Sequence, residues 1–378
     1  MIFRKHRLRP SLLALLVLAS MLSACANRPA IETPRVPPLV GHPPYTIDDV
    51  DPLELSDEMK QFVDTHLGGL GGDDNRSWRL AWAMLDRNVF DFQYDPHITL
   101  TASDAFRARR GNCLTFSNMV IAMAREAGMR AWYREVEIEP EWNSLDETLL
   151  VSMHVNAATS DRNREYIVDV SGRTPRPDER HRRISDEEAK AQYYNNLGAQ
   201  SLVVNDLSKA YAYLRKAEQT RPGLAFVWSN LGVVYRRNGQ TDDAVLAYET
   251  ALALDGRHSV ALNNLYTIYD EDGDLEKAEA IQAKVEKNRR RNPYYLHYLA
   301  ETAFAERDLE EAIDYAKRAI RLEDDEYRFH YTLAQLRYQE GETQRAREAL
   351  DRALRLAPEW VDTGTLILPG KIPEPTAQ

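Results

Sequence analysis

Leucine recurs every 34 residues through the second half of this chain, at Leu197, Leu231, Leu265, Leu299 and Leu333. Alanine keeps the same period at Ala210, Ala244, Ala278, Ala312 and Ala346. It does so again at Ala217, Ala251, Ala319 and Ala353, with Val285 in the remaining slot. A period of this length holds one supersecondary unit that cannot bury its apolar face alone, so neighbouring units must stack. Small residues at fixed positions let the two helices of each unit approach closely. Gly239, Gly273 and Gly341 fall where the turn between them belongs, and Pro222 and Pro358 end their units.

Three positions in phase over five units resemble the tetratricopeptide repeat, spanning about 191–360, with a tail at 361–378. The resemblance implies an all-α solenoid that binds a protein or peptide. Ser201 stands where the family prefers a large apolar residue. Gly256, Arg290 and Asp324 replace the closing proline of the middle units, and the late Pro293 predicts a longer second helix in the third. Asn196, Asn230 and Asn264 share one phase of the first helix, which in this family lines the concave groove. An amide both donates to and accepts from a peptide backbone. Two readings stand side by side: a peptide-reading ladder, or asparagines that are solvated or bonded between helices.

The first residues are not part of the fold. Arg4, Lys5, Arg7 and Arg9 precede a short apolar run from Leu12 to Leu22, the order of an export signal. The run closes on Leu22-Ser23-Ala24-Cys25, which resembles a bacterial lipobox. That resemblance implies a signal peptide over 1–24 and a lipid on Cys25. It also implies a periplasm-facing envelope lipoprotein, with Ala26 favouring the outer membrane over the inner. The competing reading is an ordinary signal peptide cut near Ala24. Residues 25–53 read as a proline-rich tether, Pro29 to Pro52, able to hold a domain off the membrane at roughly 3.1 Å per residue. Without the four leading cations the net charge goes from -11 to -15. So acidic a chain argues against nucleic acid, whose phosphates need Lys and Arg.

Between tether and repeats, residues 54–172 read as helices followed by an antiparallel sheet, an α+β pattern. Helices are expected over 54–66 and around 78–87, and Gly128 is placed to end a third that begins at Cys113. Strands are expected over 131–138, 148–157 and 166–170, and a linker over 173–190 with Arg173, Arg176, Arg180, Arg182 and Arg183. That basic cluster reads as a solvated connector or as a contact for anionic lipid. With Cys25 lipidated, Cys113 has no partner in its own chain. It follows a Gly-Asn turn at a helix start, where free N–H groups and the helix dipole favour a thiolate. The competing reading is a small, inert hydrophobe. Alternation over 148–157 puts His154 on the more polar face, and Asp169 lies in the next strand. Pairing of these strands would bring the two within hydrogen-bonding reach.

Cysteine at a helix start, then histidine on one strand and aspartate on the next, resembles the transglutaminase-like superfamily. The resemblance implies a papain-like α+β core. It further implies Cys113 as nucleophile, His154 as general base and acid, and Asp169 as the group that orients it. The chemistry implied is amide hydrolysis or acyl transfer through a thioester. Gln93 and Asn88 are the candidates for an oxyanion-hole side chain, beside the backbone N–H of Cys113. No metal-ligand spacing, phosphate-binding glycine loop or calcium loop is present, so no cofactor is expected. The acidic run Asp270–Asp274 reads as a solvated turn. The rival function is a catalytically silent envelope scaffold acting through its repeats. A third reading has the repeats binding a regulator of an enzyme.

Overall fold

The computed structural model describes residues 32–68, 76–136, 154–161, 164–170, 180–357, 361, 363–366 and 368. The expected signal peptide, Cys25, Gly69, Gly71 and Gly72, residues 148–153 of the second expected strand, most of the arginine-rich linker and Pro358 lie outside them. The compact unit Arg35–Gln378 is the one that carries the fold.

Its first half alternates short helices and strands. Helix α1 (Asp57–Leu67) starts at Ser56, whose hydroxyl accepts from Met59 N at 3.3 Å, and α2 (Arg76–Leu85) follows. Strand β1 (Gln93–Tyr94) pairs in parallel with β2 (Arg110–Gly111), with α3 (Ala102–Ala108) between them. Helix α4 (Cys113–Glu126) comes next, and Gly128 turns the chain at φ +75°. Strands β3 (Arg130–Val136), β4 (His154–Asp161), β5 (Arg164–Val168) and β6 (His181–Ile184) form an antiparallel sheet in the order β5-β4-β3-β6.

The second half is five helix pairs. They are α5 (Asp186–Val203) with α6 (Leu207–Thr220), α7 (Ala225–Arg237) with α8 (Thr241–Leu254), and α9 (Ser259–Glu271) with α10 (Leu275–Arg289). Then come α11 (Pro293–Ala305) with α12 (Leu309–Leu322), and α13 (Tyr327–Gln339) with α14 (Thr343–Leu356). Helix α10 is one residue longer than the other second helices, because Pro293 opens α11 late as its first helical residue, under the Asn292 cap. Ser201 is buried and bonds back to Leu197 O at 2.8 Å, so its hydroxyl needs no apolar replacement. Asp274, in the acidic turn, caps α10 through Lys277 N.

Two expectations about connectors are revised. The described part of the expected 173–190 linker is structured: β6 occupies 181–184 and leads through the Ser185 cap into α5. Arg182 there pairs with Glu135 and Glu188, while Gln192 donates to Glu135 at 2.6 Å. Arg183 lies over the Trp132 ring. These contacts tie β3 and β6 to the first repeat helix, while Arg182 and Arg183 stay exposed on their outer side. The tether also shortens. From Arg35 to Pro52 the chain lies on the folded body, with Leu39 and Pro52 buried.

The fold-class expectation is corrected as well. A papain-like α+β core does not describe this chain, which is predominantly a helical solenoid with fourteen α-helices among its described residues. The β-branched and aromatic runs do form strands, but short ones. Their sheet does not close a core of its own. One buried cluster runs from Leu39 through Met59, Phe116 and Tyr133 to Trp228, Tyr248 and Ala278. The last two repeats hold smaller clusters around Ala312, Phe329 and Ala346.

Two half-buried histidines make the repeats acid-sensitive. His258 caps α9 by accepting from Ala261 N, and His297 bonds Thr332 at 2.8 Å. Burial lowers each to about 4; the Arg328 charge adds to it at His297. Unfolded histidine takes up its proton near 6.5. Stability is therefore full above that value and falls as pH drops toward 4. Urea midpoints between pH 7 and 4 should decline in wild type and decline less in His258→Asn, which keeps a capping side chain.

Candidate functional site

The start of α4 is held by a polar lattice. Asn112 accepts from Thr115 N at 2.9 Å and donates to Thr99 at 2.8 Å, while its own N–H reaches Ile98 O. Gly111 sits at φ +155°, where a Cβ would lie 2.4 Å from Thr115 Cγ2, so only glycine fits. This places Cys113 in the first turn with 8% exposure. Every residue of this helix from Cys113 to Ala124 is buried, so that stretch has no solvent face. Two of its polar members bond inside: Ser117 donates to Val155 O at 3.2 Å, and Asn118 Oδ1 accepts from the Tyr133 hydroxyl at 2.7 Å.

His154 opens β4 opposite Val136, and Asp169 lies just past the end of β5. Their side chains meet at 2.7 Å, His154 Nε2 to Asp169 Oδ2. His154 is buried and Asp169 largely so, with side-chain exposures of 8% and 12%. Asn156, two residues along the same face, donates to the same oxygen at 3.3 Å. The sequence reading missed Asn156, although its phase with His154 was visible. Burial works against the charged imidazole. The Asp169 hydrogen bond, and then the Cys113 interaction, overcome it and raise His154 to about 10. Asn88 lies in the exposed turn after α2, its N–H on Asp86 Oδ1, and Gln93 is exposed in β1.

In the repeats, Asn230 and Asn264 are fully buried. Asn230 donates to Asn195 at 2.9 Å, between successive first helices. Asn196 is half-buried. The inter-helix reading therefore describes Asn230, and neither buried amide faces a groove. In the second repeat the whole stretch from Phe226 to Tyr235 is buried. The first helices of the last two repeats differ, since Glu301 and Phe304 are exposed and Tyr298 and Tyr331 half-exposed.

Stacked helix pairs of 34-residue period define a helical-repeat protein. The tetratricopeptide-repeat family model matches residues 179–365, so this segment is a tetratricopeptide-repeat array, as its leucine and alanine phases imply. Among curated proteins the chain is similar to the uncharacterized protein ycf37 of Pyropia yezoensis, 45% identical over 62 residues. That match covers 16% of this chain and 35% of the relative. It is also similar to the chloroplastic tetratricopeptide repeat domain-containing protein PYG7 of Arabidopsis thaliana, 33% identical over 76 residues, covering 20% of this chain and 25% of the relative. The chain thus spans about a third or less of the length of these relatives. A solved structure of Pseudomonas aeruginosa pilF aligns at TM-score 0.31 and 22% identity, covering 48% of this chain and 83% of that one. YrrB, described as a tetratricopeptide-repeat protein with an unusual peptide-binding site, aligns at 0.26 and 19%, covering 45% and 88%.

These findings overturn the transglutaminase-like resemblance, because the similarities are to repeat proteins and none is to a transglutaminase-like one. The transglutaminase-like enzyme assignment falls with it, although the structure does bring Cys113, His154 and Asp169 together, with His154 bonded to both of the others. What the geometry shows is a buried ion pair that ties the start of β4 to the chain leaving β5. Nothing in the similarities attaches a reaction to it.

Proposed function

We propose that this protein is a scaffold that holds a protein partner on its tetratricopeptide repeats. The observation that carries the reading is the contrast between repeats. The first two are spent on the N-terminal half and its shared core. The last two expose Phe304 and Glu301 and half-expose Tyr298 and Tyr331 on first helices. Exposed aromatics beside a carboxylate suit a peptide that brings apolar and basic side chains. Such a partner should be crosslinked by a photoreactive residue at Tyr298. The same contact should weaken about tenfold in Phe304→Asp with helix content unchanged. Undiminished capture by that variant would remove these repeats from the interface.

The leading cations, apolar run and lipobox support a further part of the proposal, that Cys25 carries lipid and holds the scaffold in a bacterial envelope, facing the periplasm. Metabolic labelling with a fatty-acid analogue should mark wild type and spare Cys25→Ala. An unlabelled wild type would exclude the anchor.

A further inference from the structure

Residues 36–52 do more than connect. Pro37 O accepts two hydroxyls, from Tyr211 at 2.8 Å and from Tyr235 at 2.6 Å. Gln240 grips the next turn of backbone at two points: its Oε1 accepts from Val40 N at 3.0 Å and its Nε2 donates to Pro38 O at 3.2 Å. Asn238 donates to Val40 O at 3.0 Å. Four side chains, from α6, α7 and the turn before α8, thus read the main chain of Pro37–Val40. Two side chains of the segment, Leu39 and His42, add to this grip. Leu39 alone is buried, while Pro38 and Gly41 are exposed and Val40 is 65% exposed. His42 adds bonds to Ser208 at 3.1 Å and Asn238 at 3.0 Å.

The reading side chains are organised by one another rather than by the segment alone. Asn238 donates to Gln240 Oε1 at 2.6 Å, and Gln240 donates to Asp243 at 2.6 Å. Burial pushes the Tyr211 and Tyr235 hydroxyls above the usual tyrosine range, so both keep the proton they donate. Such preorganisation lowers the ordering penalty of binding. Prolines leave their carbonyls free and hold the chain extended before it binds. Core elements bury side chains and satisfy the backbone within their own ladder. This segment does the reverse, as bound peptides do.

We propose that the face made by Tyr211, Tyr235, Asn238 and Gln240 is a binding site for extended proline-containing peptides, which residues 36–42 occupy in cis. It deepens the scaffold reading by naming a partner class, an extended segment with Pro-Pro followed by an aliphatic residue. It also makes that site available only when the resident segment lifts. Below the site the chain is held a second time. Val50 N donates to the Tyr194 hydroxyl at 2.9 Å, and Asp49 pairs with Lys190 and Lys216 at 3.0 Å. Residues 43–46 between the two anchors are exposed. Release of 36–42 therefore leaves the rest of the segment attached.

The test uses the full chain with Leu39→Asp and His42→Ala, which weaken the resident segment and leave the receiving face intact. A fluorescein-labelled peptide of residues 34–43 is titrated by anisotropy. Binding to the double variant should be at least about tenfold tighter than to wild type, and adding Gln240→Ala should abolish the gain. Equal binding to both chains, or none to either, overturns the proposal. So does a segment that proteases still cannot cut in the double variant. Should helix content fall, the milder pair Leu39→Ala and His42→Ala is titrated in its place. Failure here leaves the Tyr298 crosslink and the Phe304→Asp readout of the distal repeats unaffected.

Discussion

Replacing Asp169 with asparagine should lower the free energy of unfolding at neutral pH by about 3–5 kcal/mol, the usual consequence of removing one partner from a buried ion pair. The carboxylate sits 2.7 Å from His154 Nε2 where little water reaches. An amide of the same shape keeps the packing and loses the charge. His154 must then either hold an uncompensated charge or give up its proton. The dependence on pH has a defined sign. His154 rises from 6.5 to about 10 in the folded protein. The stability it contributes is fully present below about 6.5 and is lost as pH climbs through 10. Urea unfolding followed by tryptophan fluorescence should show a wild-type midpoint falling between pH 7 and 10, and a lower, flatter profile for Asp169→Asn. Cys113→Ala keeps the ion pair and removes the weaker support, so its profile should lie between the two. A variant within about 1 kcal/mol of wild type, with a parallel profile, would mean the pair does not hold β4 to the end of β5. His258 and His297 act with the opposite sign, since burial lowers both, so the protein is least stable at the two ends of the pH range.

The repeat half was legible because its signal is redundant. Leucine and alanine fall in the same phase five times, and each small residue has one packing role, so a single exception such as Ser201 changes nothing. The region around Cys113 was legible only in part. Gly111 and Asn112 announce a helix start, and the proximity of His154 to Asp169 follows from antiparallel pairing. Chemistry does not follow from proximity. The same three residue types at the same elements serve equally as a buried electrostatic staple, and the similarities to known proteins lie with the repeats. The α+β expectation failed for a related reason. Residue alternation finds strands, but it carries no information about whether a sheet closes its own core or shares one. That depended on Glu135, Arg182, Glu188 and Gln192, charged or polar residues whose mutual contact no local pattern reveals. The proline-rich segment was misread as a tether because composition reports stiffness and says nothing of the tyrosines and amides, about 200 residues away, that bind its backbone.

Shared and separate cores lead to the second large effect. Trp228→Ala should destabilise the protein by about 3–5 kcal/mol, through lost burial and the cavity left behind. Trp228 is fully buried in the second repeat, and its indole N–H finds no acceptor among the described residues. Removing that donor offsets about 1 kcal/mol of the loss, so the result should sit toward the lower end of the range. More telling is where the effect is felt. In a repeat array each unit contacts only its neighbours, and stability is nearly a sum of local terms. Here the cluster containing Trp228 also contains Leu39, Met59, Phe116 and Tyr133. The loss should therefore spread back into the N-terminal half rather than forward along the array. Phe329 is also fully buried, but in a small cluster with Leu296 and Ala319. Phe329→Ala should weaken α11 to α14 by a similar amount and leave α4 and β3 unchanged. Hydrogen exchange under native conditions separates the two. Trp228→Ala should speed exchange in α4, β3 and α7 while α13 and α14 keep their protection, and Phe329→Ala should do the converse. If both variants raised exchange evenly from α1 to α14, the chain would unfold as one cooperative unit. The distal repeats could then not open independently of the N-terminal half to accept a partner.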